Sequence, residues 1–165
     1  MIYALEPVHI ATPIGAILIE GDDDRLSGIR IVPLQSLSTS APAAPSKVVM
    51  EAAAQLTAYF AGRLTDFDLP LAAAATPRGL ALRDAIIAIP YGETVSYGVL
   101  ARSAGSAPRA IGQACARNPF PIIVPCHRVL GSGGQLGAYS AGEGPVTKRW
   151  LLDLESPDPQ TRMFQ

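Results

Sequence analysis

Apolar positions along this chain change their spacing twice, dividing it into a β-rich start, a helical middle and a turn-rich segment near the end. Apolar runs over 8–11, 16–20 and 26–32 are short and separated by turn signals, Thr12-Pro13-Ile14-Gly15 and Gly21-Asp22-Asp23-Asp24. That pattern predicts a meander of about three antiparallel strands. Residues 33–45, rich in Ser, Ala and Pro, read as an irregular surface loop. From Ser46, a suitable N-cap, the period becomes helical through Val49, Ala52, Ala53, Leu56, Tyr59 and Phe60, with Gly62 at the C′ position. Asp66-Phe67-Asp68-Leu69 is expected as an edge strand, and 72–75 as a linker.

Thr76-Pro77 is a second helix start, a cap followed by proline at the first helical position. Leu80, Leu82, Ala85, Ile86, Ile87 and Ile89 continue that helix to Pro90. After a turn at Tyr91-Gly92, Ser96 caps a short helix over 97–104 closed by Gly105, and Ser106 can cap a further helix over 107–117. Two short helices joined at a Gly-Ser turn form a helix-turn-helix candidate. A plain αα-hairpin fits the same pattern and is, from pattern alone, the commoner of the two. The last helix opens at Pro145 and carries an apolar stripe of Val146, Trp150, Leu151 and Leu154, with Glu155 near its end. The chain is therefore expected to be α+β in two parts. A small antiparallel sheet with one helix spans 1–75, and a mainly helical unit spans 76–165.

Between the helices lies N-P-F-P-I-I-V-P-C-H-R-V, residues 118–129. An apolar segment bracketed by prolines delivers Cys126, followed by His127 and Arg128. A β-like, buried approach of this kind puts Cys126 at the floor of a pocket. A thiol is a useful nucleophile only as thiolate, which needs a nearby base or positive field. Neighbours on an extended strand point to opposite faces, so Cys126 and His127 meet only if the chain turns after Pro125 or a water bridges them. Taken alone, a Cys-His dipeptide more often marks a buried structural cysteine.

Composition narrows the setting. With 165 residues, 48% hydrophobic and only 16% charged, a sizeable core can form. Two cysteines, and an N-terminus without a basic region followed by an apolar run, point to a reducing cytoplasm. No apolar run approaches the roughly 18 residues of a membrane span. Cys115 and Cys126 with only His9 and His127 make no plausible zinc set, so no metal or other cofactor is expected. The net charge of −1 is uneven. Residues 78–165 hold nine Lys/Arg against six Asp/Glu, while 1–77 hold four against eight, hinting that the second half meets an anion.

Several segments together resemble the O6-alkylguanine-DNA alkyltransferases. They are I-P-Y-G-E-T-V-S-Y (89–97), R-A-I-G-Q-A (109–114), residues 118–129, G-A-Y-S (137–140) and K-R-W-L-L-D-L-E (148–155). They cover most of 89–155 in family order. The N-terminal half matches only through T-P-I-G and Y-F-A-G. The resemblance implies a ribonuclease H-like first domain and a winged-helix-like second one. It also implies an irreversible transfer of the alkyl group from extruded O6-alkylguanine, chiefly O6-methylguanine, to the protein's own cysteine, once per molecule.

Carried over residue by residue, Cys126 resembles the alkyl acceptor, His127 its base acting through a water, and Glu155 the carboxylate that orients the histidine. Asn118 resembles the residue that stabilises the cysteine's turn. Arg109 resembles the side chain that replaces the extruded nucleotide, and Tyr97 the tyrosine that helps rotate the target phosphate and could donate a proton to guanine. Ala110, Gln113, Arg117 and Arg128 complete the expected DNA contacts. Tyr139, Ser140, the Val129 backbone and Cys115 form the expected base pocket, although for Cys115 a small core residue is the simpler expectation. Lys148 is a further candidate for a phosphate, with an ordinary solvated charge explaining it nearly as well.

Two spacings depart from the family pattern. The stretch between Tyr97 and Arg109 is about two residues shorter, and the loop from Tyr139 to Lys148 about two longer. The partner implied is double-stranded DNA carrying O6-alkylguanine, with O4-alkylthymine a second candidate substrate, and the protein a monomer away from membranes. Two readings of another class stand beside this one: a non-repairing binder of alkylated DNA or helix-turn-helix regulator, and a thiol hydrolase, which lacks a separate His/Asn pair.

Overall fold

The structure, a computed structural model, describes residues 8–37 and 45–157. The chain divides between Ala72 and Ala73 into two compact units. In the first, β1 (Val8–Thr12), β2 (Gly15–Gly21) and β3 (Leu26–Val32) form an antiparallel sheet in sequence order. Val8 stands opposite Ile19, and Ile19 opposite Ile29. The helix α1 (Lys47–Phe60) packs on β1 and β2 through Val49, Ala52, Leu56 and Tyr59. Ser46 caps it, its hydroxyl accepting from the Val49 amide at 3.2 Å, and Gly62 ends it at φ 73°. The loop expected over 33–45 contains a short 3-10 turn, Leu34–Ser36; its residues 38–44, and the tail beyond 157, lie outside the described residues.

The expected edge strand at 66–69 does not form. The Gln55 side chain captures both backbone groups of Asp68, donating to its carbonyl and accepting from its amide at 3.0 Å each, and Pro70 has no amide to offer a ladder. Only Leu71 bridges to Leu26, through Leu26 N to Pro70 O and Ala72 N to Leu26 O, both 2.8 Å.

The second unit is helical. α2 (Pro77–Ile87) starts where expected, with the Thr76 hydroxyl accepting from Gly79 N at 3.0 Å. β4 (Val95–Ser96) leads directly into α3 (Tyr97–Ser103), capped by Ser96, and α4 (Pro108–Ala116) follows. The turn between α3 and α4 is a Schellman motif. Ser106 N bonds to Ala101 O at 2.8 Å and Gly105 N to Arg102 O at 3.3 Å, with Gly105 at φ 63°. Ser106 does not cap α4: the proline takes the first helical position, which makes Ala107 the cap residue. The Ser106 hydroxyl instead accepts from Arg78 at 3.2 Å.

The apolar 121–124 segment is a tight turn rather than a strand. Val124 N returns to Phe120 O at 2.9 Å, and Ile122 sits at φ 76° while almost fully buried, a conformation that opposes a β-branched side chain. At Pro125 (φ −81°, ψ 62°) an inverse γ-turn brings Cys126 N to Val124 O at 2.8 Å. Cys126–Arg128 is then one 3-10 turn, and β5 (Val129–Leu130) pairs in parallel with β4, Val95 opposite Val129. The chain does turn sharply at Pro125.

The last helix, α5 (Pro145–Glu155), presents a different face from the one expected. Its buried residues are Thr147, Lys148, Leu151 and Glu155, whereas Val146 is 67% exposed. Positions 148, 151 and 155 follow the i, i+3, i+7 spacing of one helix face, and that face carries two charges.

Candidate active site

His127, Arg128 and Glu155 meet in the core of the second unit, next along the chain to the buried Cys126. His127 is fully buried, Glu155 2% exposed, Cys126 4% and Arg128 5%. Charges in such surroundings persist only when paired and hydrogen-bonded, and here each is. Glu155 Oε2 lies 2.7 Å from His127 Nε2. Arg128 donates from Nε to Glu155 Oε1 at 2.7 Å, from one terminal nitrogen to Oε2 at 3.1 Å, and from the other to Ile89 O at 2.7 Å. Burial alone would raise the Glu155 carboxyl, but the hydrogen bond and charge of His127, then those of Arg128, outweigh it and hold the group at about 2.

An ionised Glu155 can only accept, so His127 Nε2 must carry the proton that lies between them. Nδ1 is thereby left with its lone pair, and it has no hydrogen-bond partner among the described residues. Burial pulls the His127 pKa below its usual value, and Arg128 and Lys148 add to this against the opposing pull of Glu155. The imidazole is therefore neutral and basic at Nδ1 near pH 7.

Asn118 braces the turn that carries the cysteine. Its side-chain oxygen accepts from Phe120 N at 2.9 Å, and its amide nitrogen donates to Val124 O at 3.0 Å and to Cys126 Sγ at 3.4 Å. The Cys126 thiol is pushed well above its usual pKa, first by a hydrogen bond shared with Cys115 and then by burial, while Asn118 and Lys148 act in the opposite sense. Cys126 therefore rests as the thiol and needs a base to become a nucleophile.

Arg128 and Lys148, both considered for DNA phosphates, face inward. Arg128 is consumed by Glu155 and Ile89. Lys148 is fully buried, its Nζ donating to Val129 O at 2.7 Å and Ala138 O at 3.2 Å and lying 6.0 Å from the centre of the Tyr97 ring. Both are buried and turn toward protein oxygens, which takes them out of reach of a phosphate. Lys148 was thus underrated from sequence as a site residue, although its spacing from Leu151 and Glu155 marks it as inward-facing.

Tyr97 opens α3 half-buried, its pKa raised mainly by burial. Tyr139 is half-buried, but its hydroxyl is buried without a hydrogen-bond partner among the described residues, and its pKa is driven up, chiefly by burial. Ser140 is exposed and donates to Cys115 O at 3.4 Å. Val129 is fully buried, with one lone pair of its carbonyl committed to Lys148. Cys115 is half-buried on the last turn of α4, and its pKa is lowered, first by the Cys126 thiol and also by Lys148, against its own burial.

On α4, Arg109, Gln113 and Arg117 are exposed and Ala110 is half-buried. Ala110, Gln113 and Arg117 line a groove between α4 and α2, whose other wall includes Arg78, Leu82 and Arg83. Arg78 and Arg83 escaped the sequence reading because nothing local in α2 marks the side that meets α4. In the longer loop before α5, Glu143 N donates to the buried Thr147 hydroxyl at 2.9 Å. A side chain at Gly142 (φ 55°) would strike that hydroxyl, its Cβ falling at 2.6 Å.

Comparison with known proteins agrees over both units. Family models described as the ribonuclease-like domain and the DNA binding domain of 6-O-methylguanine DNA methyltransferase match residues 3–73 and 80–157. A methylated-DNA–protein-cysteine methyltransferase of Mycobacterium leprae is 42% identical over 147 residues, covering 87% of this chain and 88% of the relative. One from Methanosarcina acetivorans is 42% identical over 151 residues, covering 87% and 94%. The crystal structure of Mycobacterium tuberculosis OGT in complex with DNA superposes with a TM-score of 0.75 at 40% identity, covering 93% of this chain and 96% of that one. The chain therefore belongs to the 6-O-methylguanine DNA methyltransferase family, a conclusion that its α+β fold and its buried cysteine, histidine and glutamate had already approached from within.

Proposed function

We propose that this protein repairs DNA by direct reversal, moving the alkyl group of an extruded O6-alkylguanine irreversibly onto Cys126. The observation that carries the proposal is the buried His127, held by Glu155 in the tautomer that leaves Nδ1 basic. In the reaction His127 Nδ1 takes the Cys126 proton, through one intervening water, and the imidazolium gains the charge of Glu155. The thiolate attacks the alkyl carbon in line, the carbon–O6 bond breaks, and its electron pair leaves with guanine, which then takes up a proton. The product thioether is not reversed by thiol or water, so each molecule acts once.

The thiolate is sheltered by two groups that lower its cost, the Asn118 amide and the Lys148 ammonium. The raised pKa of Tyr97 keeps its phenol protonated, which suits hydrogen-bond donation to departing guanine better than full proton transfer. An alkyl carbon inside stacked DNA is out of reach, and extrusion costs a few kcal/mol. Arg109, exposed on the first turn of α4, is suited to fill the gap. Arg117, Gln113 and Ala110, joined by Arg78 and Arg83 across the groove, supply a basic track for the backbone. The protein acts as a monomer in the cytoplasm, where its thiols stay reduced.

The test is to incubate the protein with a duplex containing O6-methylguanine and measure its intact mass. One methyl per molecule, mapped to the Cys126 peptide and absent from Cys126→Ala, is the expected result. Tight binding without a mass gain would replace this reading with that of a non-repairing binder. A methyl on Cys115 would move the acceptor.

A further inference from the structure

The mechanism gives no task to Thr147, a 3% exposed polar residue on the first turn of α5. That helix starts after Gly144, whose φ of 65° and ψ of −129° suit glycine and which has no side chain to cap the helix. The cap comes from within the helix instead. Thr147 reaches back, and its hydroxyl accepts from the Glu143 amide at 2.9 Å, as the reverse half of a capping box does.

Two consecutive residues of α5 therefore grip both ends of the loop that carries Tyr139 and Ser140. Lys148 Nζ donates to Ala138 O at 3.2 Å and to Val129 O at 2.7 Å, tying the start of the loop to the strand that follows the Cys126 turn. Thr147 holds the far end through Glu143. Between these grips Ser140 donates to Cys115 O at 3.4 Å. The extra length of the loop folds into a turn closed by Gly144 N to Ala141 O at 3.0 Å, with Gly142 at φ 55° inside it. That turn sits on Thr147. A Cβ at Gly142 would fall 2.6 Å from Thr147 Oγ1 and 3.1 Å from its Cγ2, so only glycine lets the turn seat against the hydroxyl.

We propose that Thr147 is a specificity-determining positioning residue, holding the Tyr139–Ser140 rim of the base pocket rigid so that methyl is favoured over bulkier alkyl groups. This rests on the reading of Cys126 as alkyl acceptor and of Tyr139 and Ser140 as pocket residues. Thr147 acts through the loop backbone and touches neither base nor alkyl group. A rim held at both ends and in the middle cannot retreat for added methylenes, and an overfilled rigid site is penalised where a mobile one gives way. Supporting hydrogen bonds of this kind are what fix a site to its productive geometry.

The experiment measures single-turnover transfer, by intact mass of the full chain, from duplexes carrying O6-methylguanine or O6-butylguanine. Wild type is expected to favour methyl. Thr147→Val keeps the buried bulk but removes the acceptor for Glu143, and should narrow the methyl-over-butyl ratio by about 2–10-fold, the shift that one hydrogen bond supports. Thr147→Ser should restore the ratio. Gly142→Ala, which pushes the turn off an intact Thr147, should narrow it as Thr147→Val does. A loss of stability alone would reduce the folded fraction and slow both duplexes alike, leaving the ratio where it was. An unchanged ratio in either Thr147→Val or Gly142→Ala overturns the proposal, as does Thr147→Ser behaving like Thr147→Val, or wild type taking butyl as readily as methyl. Wild type that gains neither group would instead overturn the alkyltransferase reading itself, and this proposal with it.

Discussion

The two units bury different chemistry. The first is closed by hydrocarbon: Ile17, Ile19, Leu26, Leu56 and Tyr59 are fully inside, and among its described residues only Thr12 and Ser46 are buried and polar. The second buries His127, Arg128, Thr147, Lys148 and Glu155 along with its apolar side chains. An apolar core is stabilised by removing area from water, and it tolerates changes that preserve volume. A buried ionic cluster costs several kcal/mol of desolvation per ion and repays it only while every partner is present. The first unit is thus built to be stable. The second holds stored electrostatics that orient a proton acceptor.

That contrast can be broken by substitution. The largest effect is expected from Glu155→Ala, which leaves Arg128 charged and buried without its carboxylate and frees His127 from its tautomer. Stability should fall by about 3–5 kcal/mol, and methyl transfer by about 10²–10⁴-fold if general-base catalysis is lost, read by denaturant unfolding and single-turnover kinetics. Near-normal transfer in the folded fraction would show that the cluster is structural only. Leu56→Ala in the first unit should cost a similar 2–5 kcal/mol or so by leaving a cavity, yet leave the transfer rate of folded molecules unchanged. A slower rate would dissolve the division of labour.

The units should also differ in acid. Glu155 titrates at about 2 against an ordinary 4.5, so its stabilisation is present above 4.5 and lost as pH falls towards 2. The His127 pKa is lowered below 6.5 by burial; the unfolded chain then binds more protons than the folded one just below pH 6.5, and stability again falls with pH. Transfer should accordingly stay level from neutrality to below pH 6.5 and then decline as Nδ1 is protonated. The loss caused by Leu56→Ala should not vary with pH. An inflection of the transfer rate above 6.5 would contradict the assigned state of His127. The smallest effect is expected from Ser46→Ala, about 1 kcal/mol through loss of the α1 cap, with no change in transfer. Thermal unfolding measures it, and a loss well above that size would show Ser46 to do more than cap.

Much of this architecture was legible because it is local. Ser46, Thr76 and Ser96 cap the helices they precede, and the three strands follow the apolar runs, since caps and alternation act within a few residues. The misplaced elements were decided at longer range. Asp68 lost its place in a strand to a side chain from α1. The approach to Cys126 became a turn because Asn118, Val124 and Cys126 close on one another. Arg128 and Lys148 looked like surface charges because each finds its partners far along the chain, Arg128 at Ile89 and Glu155, and Lys148 at Val129 and Ala138.

The sequence by itself determined where helices begin, which family the chain resembles, and that one cysteine stands beside a histidine. Only the tertiary structure decided that Glu155 is ionised and shared by His127 and Arg128, that His127 therefore keeps its basic nitrogen free, and that Asn118 reaches the Cys126 sulfur. Residue types and short-range propensities are written along one dimension. A proton's position and a thiol's reactivity depend on burial and on the charges that converge in three.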